Sequence, residues 1–409
     1  MKNYFNQIPE LKLRVPSAEG VTLEEGLRLL IIILIAMTPV FSIGEIMDLF
    51  LARVSSKASN STPTFIKAIK DLGFVTLVSV SALMIIRRGR YGKLYFYSII
   101  LIFVVVVGCI FTTIFFSDAP KVKWVIVVGI RWLMPLLLVF FIADIVNEKL
   151  LNRMAVVLGR IFYIHLGLQF IQLFFMGGFY GMNSLGLAAR VPGFFLIPST
   201  ASFFSVIVVL FQLYFGKEKS RTWFVLITGF SAIITQSGTG FVVYFMVIFL
   251  YYVPQKLLRI SILSAPFFGV LMLLVFAGFA SRGDVYLEQS GGTRIEIFNY
   301  VVTNTGLLSS NFGVGTNAAR ILKTGLLMDS MLASVVYNLG LLFSLYILIV
   351  LLHWLVLIFI RNDKMLYSVT AVYGLFGAAA IFFEAFPMNL IFGVLGAFLI
   401  KQEKFRLFN

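Results

Sequence analysis

Between Lys93 and Asp118 the chain runs for twenty-four residues without a single charge, from Leu94 through Phe116 to Ser117. A helix of about 20 apolar residues crosses the hydrocarbon of a bilayer, and in lipid only helices and closed barrels satisfy every backbone N–H and C=O internally. The run is one of a series. Comparable stretches lie near 27–50, 71–86, 94–116, 124–143, 154–176, 199–215, 222–236, 240–253, 260–279, 332–360, 365–385 and 389–400. Composition agrees, because 60% of the 409 residues are hydrophobic and only 12% charged, whereas a soluble domain carries about 25% charged residues. A soluble core has no room for so much Phe, Ile, Leu and Val beneath a polar surface. The pattern predicts an all-α, polytopic membrane protein of about twelve transmembrane helices, forming one membrane domain over 1–409. It excludes a soluble enzyme, a disordered chain and a single-helix anchor.

The seventh and eighth stretches are short, and 222–253 reads equally well as one long helix until charge is counted. With twelve spans and a cytoplasmic N-terminus, inner segments hold 20 of the 33 Lys and Arg and outer segments 11, with Arg131 and Arg160 inside spans. Fusing the two stretches inverts everything downstream and leaves 17 inside against 14 outside. Basic residues accumulate on the cytoplasmic side, so the chain is expected to break at Ser237-Gly238-Thr239-Gly240, where glycines allow a reversal. Both termini are then cytoplasmic. The longest outer segments are 177–198 and 280–331, the latter partly helical.

The net charge of +15 does not point to nucleic acid, because the basic residues sit in short clusters such as Arg87-Arg88-Gly89-Arg90 between apolar runs. A single cysteine, Cys109, permits no intramolecular disulfide, and two histidines, His165 and His353, do not make a multi-histidine metal centre. Roughly 26 mixed polar residues precede the first apolar run, unlike a cleavable signal peptide.

The outer segments carry arginines that orientation rules disfavour there. Arg190 opens Arg190-Val191-Pro192-Gly193-Phe194-Phe195, and Arg282, Arg294, Arg320 and Lys323 lie in the long loop. Guanidinium is a fixed fork of donors suited to phosphate or carboxylate. Such a set at a membrane surface suits a lipid-linked pyrophosphate; the plainer alternative is pairing with Asp284, Glu288, Glu296 and Asp329 or with outer-leaflet headgroups. Residues 293–303 place Ile295, Phe298, Val301 and Val302 on one helical stripe, as in a helix lying on the membrane or on neighbouring spans. Asp329 precedes the tenth span, where a carboxylate can cap the helix or take a proton from an attacking hydroxyl. Glu384, near the outer end of the eleventh span, is the rival base. Arg131 and Arg160, at membrane depth, need a partner such as Asp144 or Glu384, or a polar path. His165, Gln169 and Gln172 give the fifth span a polar side, with His165 expected as an interhelical donor.

The Arg190-to-Thr200 stretch (RVPGFFLIPST), the Gln236-Ser237-Gly238-Thr239-Gly240 break and a long late outer loop ending near Asp329 resemble the O-antigen polymerase (Wzy) family. That family lies within the O-antigen ligase and polymerase superfamily, whose membrane glycosyltransferase fold is of the C type (GT-C). Relatives commonly show arginine where this chain has Gly238, and ligases carry a late-loop histidine where Asp329 stands here. The resemblance implies a bacterial inner-membrane enzyme of lipopolysaccharide biosynthesis, with its active site facing the periplasm and no metal or cofactor. It implies a growing glycan that leaves polyprenyl pyrophosphate for a hydroxyl on a new lipid-linked repeat unit. Arg190, Arg282, Arg294, Arg320, Lys323, Ser237 and Thr239 would bind substrate, and Asp329 would be the base. The implied partners are lipid-linked oligosaccharides as donor and acceptor, the bilayer and a chain-length regulator, with no nucleic acid. The competing classes are a polysaccharide flippase or transporter, which twelve spans also suit, and an O-antigen ligase.

Overall fold

The computed structural model describes residues 22–44, 46, 63–88, 93–116, 122–175, 191–195, 197–258, 344–350, 363–379, 383 and 385–407, with the isolated positions 296, 299, 331, 335, 337, 352, 354, 356, 360 and 361. Every regular element among them is helical. In chain order these are α1 (Leu23–Ala36), α2 (Thr38–Phe41), α3 (Thr64–Arg88), α4 (Lys93–Phe116), α5 (Val122–Phe141), α6 (Glu148–Phe175), α7 (Pro198–Phe215), α8 (Glu218–Ile234), α9 (Gly238–Tyr252), α10 (Lys364–Ala379) and α11 (Met388–Leu407). A 3-10 turn, Gln255–Leu257, follows α9. Among the described residues three stretches are long and apolar enough to cross a membrane: Phe65–Arg87, Glu148–Phe174 and Pro198–Phe215. Shorter apolar helices accompany them, and the chain is a membrane-embedded helical protein.

The core is built around α7. A helix apolar on all sides must be surrounded, and α7 is: it packs against α6, α8, α9, α10 and α11. Fourteen of its 18 residues are buried, including the β-branched run Val206, Ile207, Val208 and Val209. Phe203 of α7 stacks on Phe376 of α10 at 4.2 Å between ring centres. A second layer, with α5 packed on α11, α4 and α3, adjoins this core.

Helix α6 shows how sequence divides between protein and lipid. Val156, Tyr163, Ile164, Phe170, Ile171 and Phe174 are exposed along one side, whereas Leu151, Met154, Leu158 and Phe162 are buried on the other. His165, Gln169 and Gln172 continue the buried side. Arg160 is exposed alongside Val156 and Tyr163.

Basic side chains tie off helix C-termini at one end of the bundle. Arg28 Nε donates to Ile145 O at 2.8 Å and Lys401 Nζ to Val146 O at 2.9 Å, just beyond α5. Lys364 Nζ donates to Tyr251 O at the end of α9, at 2.7 Å. Cations here satisfy carbonyls that the helix leaves over and complement its dipole. Arg28, Lys364 and Lys401 are all residues that the charge pattern assigns to the inner side.

Two expectations need correction. Arg131 pairs with Asp71 of α3, at 2.9 Å, and not with Asp144; Glu384, the other expected partner, lies outside the described residues. The reversal between α8 and α9 is made earlier than the glycines, at Thr235-Gln236-Ser237, with Gln236 in the left-handed region (φ 48°). Gly238 and Gly240 lie in the first turn of α9. The separation of 222–236 from 240–253 is nonetheless real.

Candidate functional site

The Pro-Gly turn after Arg190 is a buried structure. Val191, Pro192, Gly193, Phe194 and Phe195 are all buried, so the last part of the 177–198 segment folds back into the bundle. A turn in an apolar interior must find a partner for each backbone polar group. Here α6 supplies partners for four of them. Gln172 closes on Gly193 twice: its Nε2 donates to Gly193 O at 2.5 Å, and Gly193 N donates to its Oε1 at 2.8 Å. Gln169 Nε2 donates to Val191 O at 3.0 Å. Phe194 N donates to His165 Nδ1 at 3.4 Å. Phe195 N reaches Pro192 O at 3.1 Å within the turn.

Proline removes a donor at position 192 and glycine permits φ 64° at 193. Glycine is also required by space: a Cβ there would run into the His165 imidazole. That ring is packed among Phe162, Phe194, Phe195 and Phe204, with Phe194 edge-on at 4.7 Å. The sequence expectation of His165 as a donor is reversed in its resolved bond, since Nδ1 accepts. That assignment leaves the proton on Nε2, which is buried and has no hydrogen-bond partner among the described residues.

The clamp extends to α8 and α7. Ser231 Oγ donates to Gln169 Oε1 at 2.7 Å and lies 2.8 Å from Ser205 Oγ, whose single proton serves either Ser231 Oγ or Ala201 O at 3.1 Å. Val191 N donates to Ile234 O at 3.3 Å, at the last residue of α8. The turn following Arg190 and the α8–α9 break are thus hydrogen-bonded to each other. These are the two motifs that stand out in the sequence, and the fold brings them together.

Ser237 is the N-cap of α9, its Oγ accepting from Gly240 N at 3.3 Å. Thr239, half-buried, lies in the first turn. The start of α9 presents the positive end of a helix dipole, on the same break that receives Val191. Gly240 lets α9 approach α7, because a Cβ there would collide with Ser202.

Arg190, Arg282, Arg294, Arg320, Lys323 and Asp329, together with Glu384 and His353, lie outside the described residues. Within 293–303, Glu296 and Asn299 are helical and exposed. Phe194 is enclosed by aromatic neighbours and serves packing. What sequence reasoning missed is the role of Gln169 and Gln172 as partners of the turn, with Ser231 and Ser205 behind Gln169. The available signal was the placement of His165, Gln169 and Gln172 on the same stripe as the buried apolar residues of α6.

Away from this site, Asp71 and Arg131 join α3 to α5, while Lys70 stands over the Phe386 ring at 5.6 Å. Comparisons with family models, curated proteins and solved structures give no match.

Proposed function

We propose that the chain is a membrane glycosyltransferase that polymerises lipid-linked oligosaccharide repeat units, as O-antigen polymerases do. In this reading about twelve spans of GT-C-like arrangement lie in a bacterial inner membrane, with both termini cytoplasmic and the site on the periplasmic face. The observation that carries the reading is the bond from Val191 N to Ile234 O, which sets the residue after Arg190 against the α8–α9 break. A basic residue next in sequence to a fixed turn suits an anionic phosphate at the membrane surface, and so do the free N–H groups at the start of α9.

The reaction breaks the bond between the anomeric carbon of the growing glycan and a pyrophosphate oxygen. A hydroxyl of the incoming repeat unit forms the new glycosidic bond and loses its proton to Asp329. The electron pair of the broken bond leaves on polyprenyl pyrophosphate, whose developing charge Arg190, Arg282, Arg294, Arg320 and Lys323 stabilise. Ser237 and Thr239 contribute donors at the start of α9. Pyrophosphate is already an activated leaving group, so charge stabilisation and one base account for the chemistry.

A second reading, a transporter of lipid-linked glycan, draws on the Asp71–Arg131 pair, because ion pairs within spans mark substrate paths in that class. Reconstituted vesicles separate the two. Given a polyprenyl-pyrophosphate-linked repeat unit on one side, a polymerase yields longer glycans on a single lipid carrier. A transporter moves the unchanged lipid-linked unit to the other leaflet, and that result would replace the polymerase reading.

A further inference from the structure

We infer that the junction of α8, α9 and α10, at the end of the bundle that the charge pattern assigns to the inner side, binds the phosphate of an anionic lipid. Arg221 and Lys364 are its donors. The site is separate from the buried turn and stands independently of the polymerase reading. Its hub is Tyr251, in the last turn of α9. The guanidinium of Arg221, from the first turn of α8, stands over the Tyr251 ring at 6.0 Å. Lys364 Nζ, from the first residue of α10, donates to the Tyr251 carbonyl at 2.7 Å. Two cations from two helices therefore meet at one residue of a third.

Among the described residues neither cation has a carboxylate partner. The nearby acids are otherwise placed: Asp363 Oδ1 accepts from Met365 N at 2.8 Å as a cap of α10, and Glu218 is exposed on the first turn of α8. Arg221 is half-buried, and its Nε is buried with no hydrogen-bond partner among the described residues. An aromatic face attracts the charge but gives the five-donor fork no oxygen to bond. Lys364 spends one of its three donors on a carbonyl. The group that completes such a junction is a compact anion with several acceptor oxygens, and phosphate fits that description.

Depth points to a lipid as the carrier of that phosphate. Trp223, two residues from Arg221, and Tyr252, next to Tyr251, are both exposed, and exposed Trp and Tyr sit at headgroup level. Basic sites between helices at the inner surface take the headgroups of anionic lipids, and the exposed Lys217, Lys219 and Lys256 add to the field that draws them in. The hub is also held in place without a ligand. Tyr214 meets the Tyr251 ring edge-on at 5.3 Å, and its hydroxyl lies 2.9 Å from Ser368 Oγ of α10.

The test titrates the purified protein in dodecyl maltoside with phosphatidylglycerol and reads the thermal-unfolding midpoint. The midpoint is expected to rise and saturate with this lipid, and not to rise with phosphatidylcholine, whose headgroup carries no net charge. Arg221→Gln and Lys364→Gln should each weaken the apparent affinity by about 10-fold, as for loss of one charge-assisted hydrogen bond. Lys219→Gln, exposed on the same turn of α8, should weaken it by a smaller factor than either. If Lys364→Gln does not fold for want of its bond to Tyr251, Arg221→Gln carries the test, since Arg221 gives up no hydrogen bond among the described residues. Equal affinity in the parent protein and Arg221→Gln, or an equal rise with phosphatidylcholine, would overturn the inference. An Arg221-dependent rise with inorganic phosphate, and none with phosphatidylglycerol, would overturn the assignment to a lipid. Product formation plays no part in these readings, so the polymerase proposal stands or falls separately.

Discussion

Gln172 and Gly193 form a closed two-bond ring, side-chain amide to backbone, at 2.5 and 2.8 Å and 21 residues apart in the chain. The ring joins a helix that carries lipid-facing residues on its other side to a buried turn, and the turn to the end of α8. Stability at this end of the bundle therefore depends on a small number of polar contacts that can each be removed.

Gly193 meets two demands at once, a left-handed φ of 64° and van der Waals room beneath His165. Gly193→Ala is expected to destabilise the folded protein by about 1–3 kcal/mol from backbone strain alone, with the steric clash added. A thermal-unfolding midpoint in detergent measures it. Combining it with His165→Ala should recover the steric part and leave the backbone part.

Ser231→Ala removes one bond to Gln169 and one to Ser205 without opening a large cavity. Hydrogen bonds between membrane helices contribute about 0.6 kcal/mol on average and at most about 1.7. The unfolding midpoint should therefore fall modestly, and by less than in Gln172→Leu.

Gly240→Ala places a methyl group against Ser202, where α9 meets α7. Overpacking of this kind costs about 1–3 kcal/mol. Adding Ser202→Gly should return part of the loss, whereas a glycine introduced elsewhere on α7 should return none.

Asp71 and Arg131 are each about one-third exposed, at 32% and 30% for the side chains. A double-mutant cycle with Asp71→Ala and Arg131→Ala should give a coupling of about 0.5–3 kcal/mol, read from unfolding midpoints. Additive single effects would mean that the pair contributes little to folding.

The sequence made some of this legible and hid the rest for physical reasons. Charge counting separated α8 from α9, because a fused helix would reverse the side of every later basic residue. It did not locate the turn, since Gln236, and not a glycine, takes the left-handed conformation. Polar residues at 165, 169 and 172 were visible as one side of α6, but their partners lie 21 to 29 residues away across a buried turn. Spacing along one helix carries no information about such a partner. The same limit applied to Arg131: its carboxylate, Asp71, lies 60 residues upstream, and helix packing, not nearness in sequence, selected it.

The most direct measurement of the central claim uses purified protein in nanodiscs with a polyprenyl-pyrophosphate-linked repeat unit, resolving the products by length. The account predicts a ladder of glycans that grows with time and disappears in Arg190→Ala, while that variant retains the unfolding midpoint of the parent. A ladder of unchanged length distribution in Arg190→Ala, or no ladder from the parent protein itself, would contradict it.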